Sequence, residues 1–172
     1  ADFGVTIGGP IGVDMKAVNA RKDAIVDASV NGVTNWVTGM PGLTTFWGHA
    51  RFAGPHQVTV NGETLEAEKI FINVGGRPVI PDWPALREIP YLTNTSIMKV
   101  DFVPEHLIVI GGSYIGLEFA QMYRRFGSRV TVVEQGPRLV GREDDDVSEA
   151  IQDILTREGV ECRRNAKCIG VA

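Results

Sequence analysis

Apolar and polar positions change period twice along the chain. After Asp14, the residues Met15, Val18, Ile25, Val26 and Val33 recur at roughly helical spacing, and Arg21, Lys22 and Asp23 interrupt them as solvent-facing charge. Asp14 offers a side-chain acceptor to the free amides of a helix start, so "MKAVNARKDAIVDASVNGV" is predicted to be helical, ending before Gly39, Pro41 and Gly42. The period then falls to two. "TTFWGHARF", "HQVTV" and "TLEAEKIFINV" read as strands of a small antiparallel meander, with Asn61-Gly62 as a two-residue hairpin signal. Its last strand is expected over Ile70 to Val74, stopped by the glycines and prolines of "GGRPVIP".

The stretch after Pro81 is proline-rich and reads as a connector with at most a turn of helix. Beyond it the pattern becomes strand, helix, strand. Leu107 to Ile110 read as a buried strand, Tyr114 to Phe126 as a helix, and Val130 to Val133 as a second buried strand. Short joints make this a βαβ unit, with parallel strands and a right-handed crossover. Residues 143 to 158 predict another helix, whose face Val147, Ala150, Ile151, Ile154 and Leu155 packs on the same sheet, and Val160 to Cys162 begin a third strand.

The joint between strand and helix carries the candidate chemistry. A helix start leaves N–H groups unpaired and adds about half a positive charge, which suits a pyrophosphate. Glycine is wanted at three places there, for the turn, for the passing phosphate and for close packing of helix on strand. Gly111 and Gly116 fill the outer two, and Ser113 stands at the middle one, where its side chain either crowds the ligand or donates one more hydrogen bond. Glu134 lies 23 residues after Gly111 at the end of the next strand. A carboxylate there accepts from a ribose diol and repels a 2′-phosphate, favouring NAD over NADP.

Composition narrows the class without naming a substrate. With 172 residues, 44% of them hydrophobic, and a net charge of −4, the chain reads as globular, with no broad attraction to nucleic acid or anionic lipid. No window approaches the ~20 unbroken apolar residues of a membrane span, and no signal peptide opens the sequence, so a cytoplasmic setting is expected. The acidic run "REDDDVSE" at 142 to 149 reads as a helix cap. Cys162 and Cys168, with basic residues between them and no histidine or further cysteine nearby, read as ordinary thiols in a reducing compartment; no metal site and no catalytic residue is assigned. Lacking an initiator methionine and ending within an apolar stretch, the sequence reads as an internal piece of a longer protein, and an open sheet edge is expected to favour self-association.

"VIGGSYIGLEFAQMYRRFGSRVTVVEQGPRL" resembles the NAD(P)H-domain entry of the flavoprotein pyridine nucleotide–disulfide oxidoreductases. "GHARF" followed by "HQVTVNGETLEAEKIFINVGGRP" resembles the segment of that family's FAD domain running from an adenine contact through a meander. With "VDMKAVNARKD" included, the whole is most similar to mercuric reductase-like members. The resemblance implies an α/β chain: a partial FAD domain of helix and meander over residues 1–80, an interdomain connector over 81–105, and the first βαβ half of a Rossmann-like NAD(P)H domain over 106–172. It places Gly48, His49, Ala50, Gly75 and Gly76 at FAD. It places Gly111, Gly112, Ser113, Tyr114, Ile115 and Gly116 at the nicotinamide cofactor's pyrophosphate, with Tyr114 and Glu118 facing the nicotinamide and Glu134 selecting the cofactor.

For the parent protein it implies hydride transfer from NAD(P)H to the flavin N5 and on to a disulfide or other acceptor, in a homodimer. Glu134 stands where NADPH-specific members carry an arginine, so NADH is preferred, although Arg138 can still reach a phosphate. The chain departs from the family in carrying no C-x4-C disulfide, no FAD glycine fingerprint and no C-terminal histidine and glutamate, so it is expected to be inactive by itself. A nucleotide-sensing module and a methyltransferase-like enzyme use a similar turn; neither accounts for the meander upstream.

Overall fold

The computed structural model describes Gly8, Gly9 and residues 12–170; the outermost parts of the expected FAD and NAD(P)H pieces lie outside the described residues. Two compact units are present, one formed by Lys22–Pro78 and the other by residues up to Arg21 together with those from Val79 onward. The architecture is mixed α/β, with an antiparallel three-stranded sheet and a parallel three-stranded sheet.

Helix α1 spans Met15–Thr38. Asp14 Oδ1 accepts the Lys16 and Ala17 N–H groups at 3.0 and 3.1 Å, which is the cap read from the sequence. Its apolar stripe does not behave as one buried face. Met15 is buried and Val18 packs on the core of the parallel-sheet unit, whereas Ile25, Val26 and Val33 are all about half exposed.

The meander comprises β1 (Arg51–Gly54), β2 (Gln57–Val60) and β3 (Glu63–Glu66) in that order. Asn61 and Gly62 turn β2 into β3 with φ values of 49° and 86°, both left-handed, as a tight hairpin demands. The first strand is shorter than "TTFWGHARF", covering only Arg51–Gly54, with a register shift between Phe52 and Gly54. No strand forms at Ile70–Val74. The chain there is irregular, with Phe71 89% and Val74 85% exposed, because no neighbouring backbone among the described residues takes up its N–H and C=O groups.

The second unit is built on β4 (His106–Ile110), α2 (Tyr114–Phe126), β5 (Arg129–Val133), α3 (Asp145–Arg157) and β6 (Glu161–Arg163). The sheet order is β4-β5-β6 and both pairings are parallel. Two 3-10 turns, Leu86–Glu88 and Ile97–Lys99, precede β4 where a single turn was expected. The chain from Ala166 to Gly170 is irregular rather than a strand.

One face of this sheet carries the core: Leu107, Val130 and Val132 pack with Leu117, Ala120 and Tyr123 of α2 and Leu155 of α3. Burial on α3 centres on Ser148, Ile151 and Leu155, while Val147 and Ile154 of the expected face are about 40% exposed. The helix is rotated toward Ser148 because that hydroxyl donates to the Leu139 carbonyl at 2.7 Å, a buried bond.

The opposite face of the sheet departs from the expected pair of buried strands. Ile108 and Ile110 are about half exposed, and a polar ladder runs beside them. Thr131 Oγ donates to Glu161 Oε2 at 3.0 Å, so the same oxygen accepts from His106 Nε2 at 2.9 Å. His106 Nδ1 in turn lies 2.7 Å from Arg129 Nη2, which donates to it.

Candidate functional site

The turn from β4 into α2 is assembled from both sides of the strand end. Gly111 has φ +102°, a region L side chains rarely adopt, and its N–H donates to the Val133 carbonyl of β5 at 2.9 Å. Ser113 is the N-cap of α2 in extended conformation, makes no side-chain capping bond and is exposed. Its hydroxyl therefore faces solvent and touches none of the packing of the turn. A Cβ on Gly116 would lie 2.5 Å from the Gly111 carbonyl oxygen, so the close helix-on-strand packing expected of the third glycine is present.

The middle position is different from expectation. The crowded residue is Gly112, where a Cβ would meet Leu139 Cδ2 at 2.6 Å and Glu134 Cβ at 3.1 Å. Its N–H donates to Glu134 Oε2 at 2.7 Å and its carbonyl accepts from Val140 N–H at 2.8 Å. Glu134 Oε1 in turn accepts the Gly136 N–H at 2.6 Å. Each oxygen of the Glu134 carboxylate is thus committed once to backbone, and since an ionised carboxylate offers about four acceptor sites, about two remain. That pair of acceptors points the charge without using it up.

A cleft of about 800 Å³ opens here, lined by Gly112, Ser113, Glu134, Gly136 and Arg138 from the turn and the loop after β5, and by Asp145, Glu149 and Asp153 from α3. The residues after β5 were read in the sequence chiefly as a possible phosphate contact and a capping run. They also hold the site together: Leu139 is fully buried and Val140 takes a left-handed φ of 41°, placing its N–H on Gly112. The acidic run does stand at the start of α3, with Asp144 at the N-cap and Asp145 and Asp146 in the first turn, where the macrodipole favours negative charge.

Tyr114 and Glu118, one turn apart, line a smaller groove of about 260 Å³ between α2 and α3, with Leu117, Gln121 and Val140. The Tyr114 hydroxyl donates to Glu143, a contact the sequence did not suggest. That bond, then burial and the Glu143 charge, raises the phenol above its ordinary value, with Arg142 pulling the other way. Ile115 is 55% exposed at the start of the helix. Of the expected residues, Gly112, Ser113 and Glu134 line the cleft, Tyr114 and Glu118 line the neighbouring groove, and Gly111, Ile115 and Gly116 line neither, the two glycines shaping the turn.

The five residues expected at FAD belong to the antiparallel unit. Gly48, His49 and Ala50 are exposed in the loop before β1, and the Asn61 side-chain amide lies over Gly48, with Oδ1 2.4 Å from where a Cβ would stand. Gly75, with φ +67°, and Gly76 are exposed in the irregular stretch after β3. Cys162 and Cys168 are both free, and burial pushes the Cys162 thiol up, away from the reactive thiolate. Among the described residues no helix is long and apolar enough to cross a membrane.

The chain is similar to known proteins in sequence and in fold. The chain is 31% identical over 170 residues to a dihydrolipoyl dehydrogenase of Acholeplasma laidlawii, covering 96% of this chain and 50% of that protein. It is 37% identical over 119 residues to a mercuric reductase of Bacillus cereus, covering 69% of this chain and 19% of that protein. Among solved structures, the HOCl-induced flavoprotein disulfide reductase RclA from Escherichia coli, in its Cu(II) complex, superposes with a TM-score of 0.82 at 33% identity, over 92% of this chain and 37% of that one. The chain thus spans about half or less of the length of these relatives. Residues 7–171 match the model of the pyridine nucleotide-disulphide oxidoreductases, and the chain belongs to that family.

Proposed function

We propose that this chain is the nicotinamide-binding entry, with an adjoining part of the FAD domain, of an FAD-dependent NAD(P)H oxidoreductase that favours NADH. The supporting observation is the Glu134 carboxylate, fixed by the Gly112 and Gly136 amides at 2.7 and 2.6 Å beside the α2 N-terminus, with acceptor sites to spare. When bound, the nicotinamide supplies a hydride and the flavin receives it and passes electrons to a disulfide or other acceptor.

The residues divide the work of binding. The unpaired amides at the start of α2 and the Ser113 hydroxyl take the pyrophosphate. Glu134 accepts from the adenosine ribose diol, and a 2′-phosphate in that place would meet a carboxylate in a cleft whose lining carries four acids and two arginines. Tyr114 and Glu118 order the nicotinamide end. Gly48, His49, Ala50, Gly75 and Gly76 are assigned to FAD on family membership, and no step is derived through them. On this reading residues 1–80 are FAD-domain, 81–105 connector and 106–172 NAD(P)H-domain, the active protein is a cytoplasmic homodimer, and this piece alone is inactive.

Purified full-length protein should be yellow with flavin absorbance and should bind NADH more tightly than NADPH in equilibrium titration. Colourless protein that binds NADH would support the sensing module instead, and failure to bind either nucleotide would refute the site.

A further inference from the structure

The cleft contains a second charge device besides Glu134. Two guanidiniums line it, Arg138 and Arg164, together with the carboxylates of Glu134, Asp145, Glu149 and Asp153. Arg138, in the loop after β5, is the arginine that a 2′-phosphate would be expected to recruit. Its Nη1 is paired with Asp145 in the first turn of α3, and its Nη2 donates to the Gly141 carbonyl at 3.1 Å. Each terminal nitrogen has one contact inside the protein, and Asp145 balances the charge. Arg164 donates through Nη1 to the Pro137 carbonyl at 3.3 Å and is exposed.

We propose that Asp145 is a specificity-determining residue, which excludes 2′-phosphorylated nucleotides by holding Arg138 in an internal ion pair. Phosphate recognition by arginine depends on a bidentate fork of N–H donors and on uncompensated charge. Asp145 balances the charge and occupies Nη1, and with Nη2 on the Gly141 carbonyl the fork is turned into the protein. Asp145 does so from a backbone position where the α3 macrodipole favours its ionised form, so it competes with an incoming phosphate at constant local concentration. Glu134 then acts by repulsion at the ribose, and Asp145 acts by withdrawing Arg138, one of the two guanidiniums in the cleft that would compensate that repulsion. Selectivity so built is a difference between two affinities with an explicit element against the wrong ligand. The Asp145 side chain is 82% exposed, so the pair is solvent-screened and the effect is moderate.

This inference rests on the nucleotide site proposed above, and the test separates the two. In the full-length protein, Asp145→Asn keeps the shape and removes the charge. Equilibrium titrations with ADP and with 2′,5′-ADP need neither nicotinamide nor flavin reduction. Asp145→Asn should tighten 2′,5′-ADP about fivefold while leaving ADP within about twofold, and the added change Arg138→Ala should abolish the gain. An unchanged ratio of the two affinities in Asp145→Asn would overturn the proposal. A gain that persists without Arg138 would also overturn it, since only the loss of a negative charge would then be at work. Wild-type protein that binds ADP with no response to Asp145→Asn leaves the site standing and this inference refuted; wild-type protein that binds no ADP refutes the site and the inference with it.

Discussion

Replacing Gly116 by alanine tests whether the packing of α2 on its own strand sets the position of the phosphate-facing amides. The added Cβ would stand 2.5 Å from the Gly111 carbonyl oxygen and 3.2 Å from Val109 Cγ1. The first distance is about 0.9 Å short of the ordinary 3.4 Å contact, and the obstacle is backbone, tied down by the Gly111 N–H bond to Val133 at 2.9 Å. The start of α2 must therefore move, at the 1–3 kcal/mol typical of overpacking. Alanine gains about 1 kcal/mol over glycine in a helix interior, and less in a first turn. Sterics should win, leaving a net loss of about 1–2 kcal/mol. The same displacement carries the free amides about 1 Å from where they meet a phosphate, so ADP affinity should fall about tenfold. Gly32→Ala in α1 is the control, because nothing lies within 4 Å of its added Cβ and the helix gain stands alone. Urea unfolding should thus show opposite shifts for the two substitutions, and ADP titration should respond to Gly116→Ala only. Equal or greater stability of Gly116→Ala would refute the claim that this contact fixes the turn.

Glu134→Ala removes the acceptor of two backbone N–H groups and the partner of the ribose diol; NADH binding should weaken tenfold or more and the rejection of NADPH should relax, both read by titration. Unchanged NADH affinity would take Glu134 out of the site. Glu158 clamps α3 to α2, accepting Arg125 Nη2 and Nε at 2.6 and 2.8 Å and Gln121 at 2.9 Å, and the bond from Arg125 holds its carboxyl below the usual range. A depressed carboxylate stabilises above its unfolded value and loses that contribution as pH falls through the folded one. The stability deficit of Glu158→Gln should accordingly be constant near neutrality and shrink below about pH 4.5, in urea titrations at each pH. For Tyr114 the sign is reversed: the hydrogen bond to Glu143 is present below the ordinary phenol value of 10 and lost as pH rises through the raised one. The difference titration at 295 nm between wild type and Tyr114→Phe should step above pH 10, and Glu143→Gln should bring that step back down.

Local chemistry made most of the frame legible. Asp14 announces α1, Asn61-Gly62 the hairpin, and the run from His106 to Val133 a strand, a turn, a helix and a parallel strand, because each signal acts within a few residues. Features decided by distant partners were not legible. Ile70–Val74 has the composition of a strand, but a strand exists only where another backbone completes its hydrogen bonds, and none of the described residues does so. Ile108 and Ile110 read as buried because the run from Leu107 to Ile110 is apolar throughout, whereas which faces are covered is a tertiary matter. In the site, Gly111, Gly116 and Glu134 were readable by spacing. The Leu139 and Val140 contacts to Gly112 join residues 27 and 28 apart, and with the Arg138–Asp145 pair they come from a loop with no period to read.

That loop changes what the serine at the middle of the fingerprint means. Had Ser113 occupied the crowded position, its Cβ would have displaced either Leu139 or the Glu134 carboxylate, and the turn would have lost the acid that accepts the Gly112 N–H. Instead Gly112 takes the crowding, and it does so to admit protein atoms. The glycine pair therefore couples two functions usually assigned separately. Gly111 turns the chain, and Gly112 lets Glu134 reach the start of the helix and hand one face of its carboxylate to the backbone. Freed of that duty, position 113 sits exposed at the N-cap, where serine is among the favoured residues and where its hydroxyl adds a donor without touching the packing. Ser113→Gly should accordingly leave folding stability within a few tenths of a kcal/mol, the usual difference between such residues at an N-cap, and change only the affinity for the phosphate portion of a nucleotide.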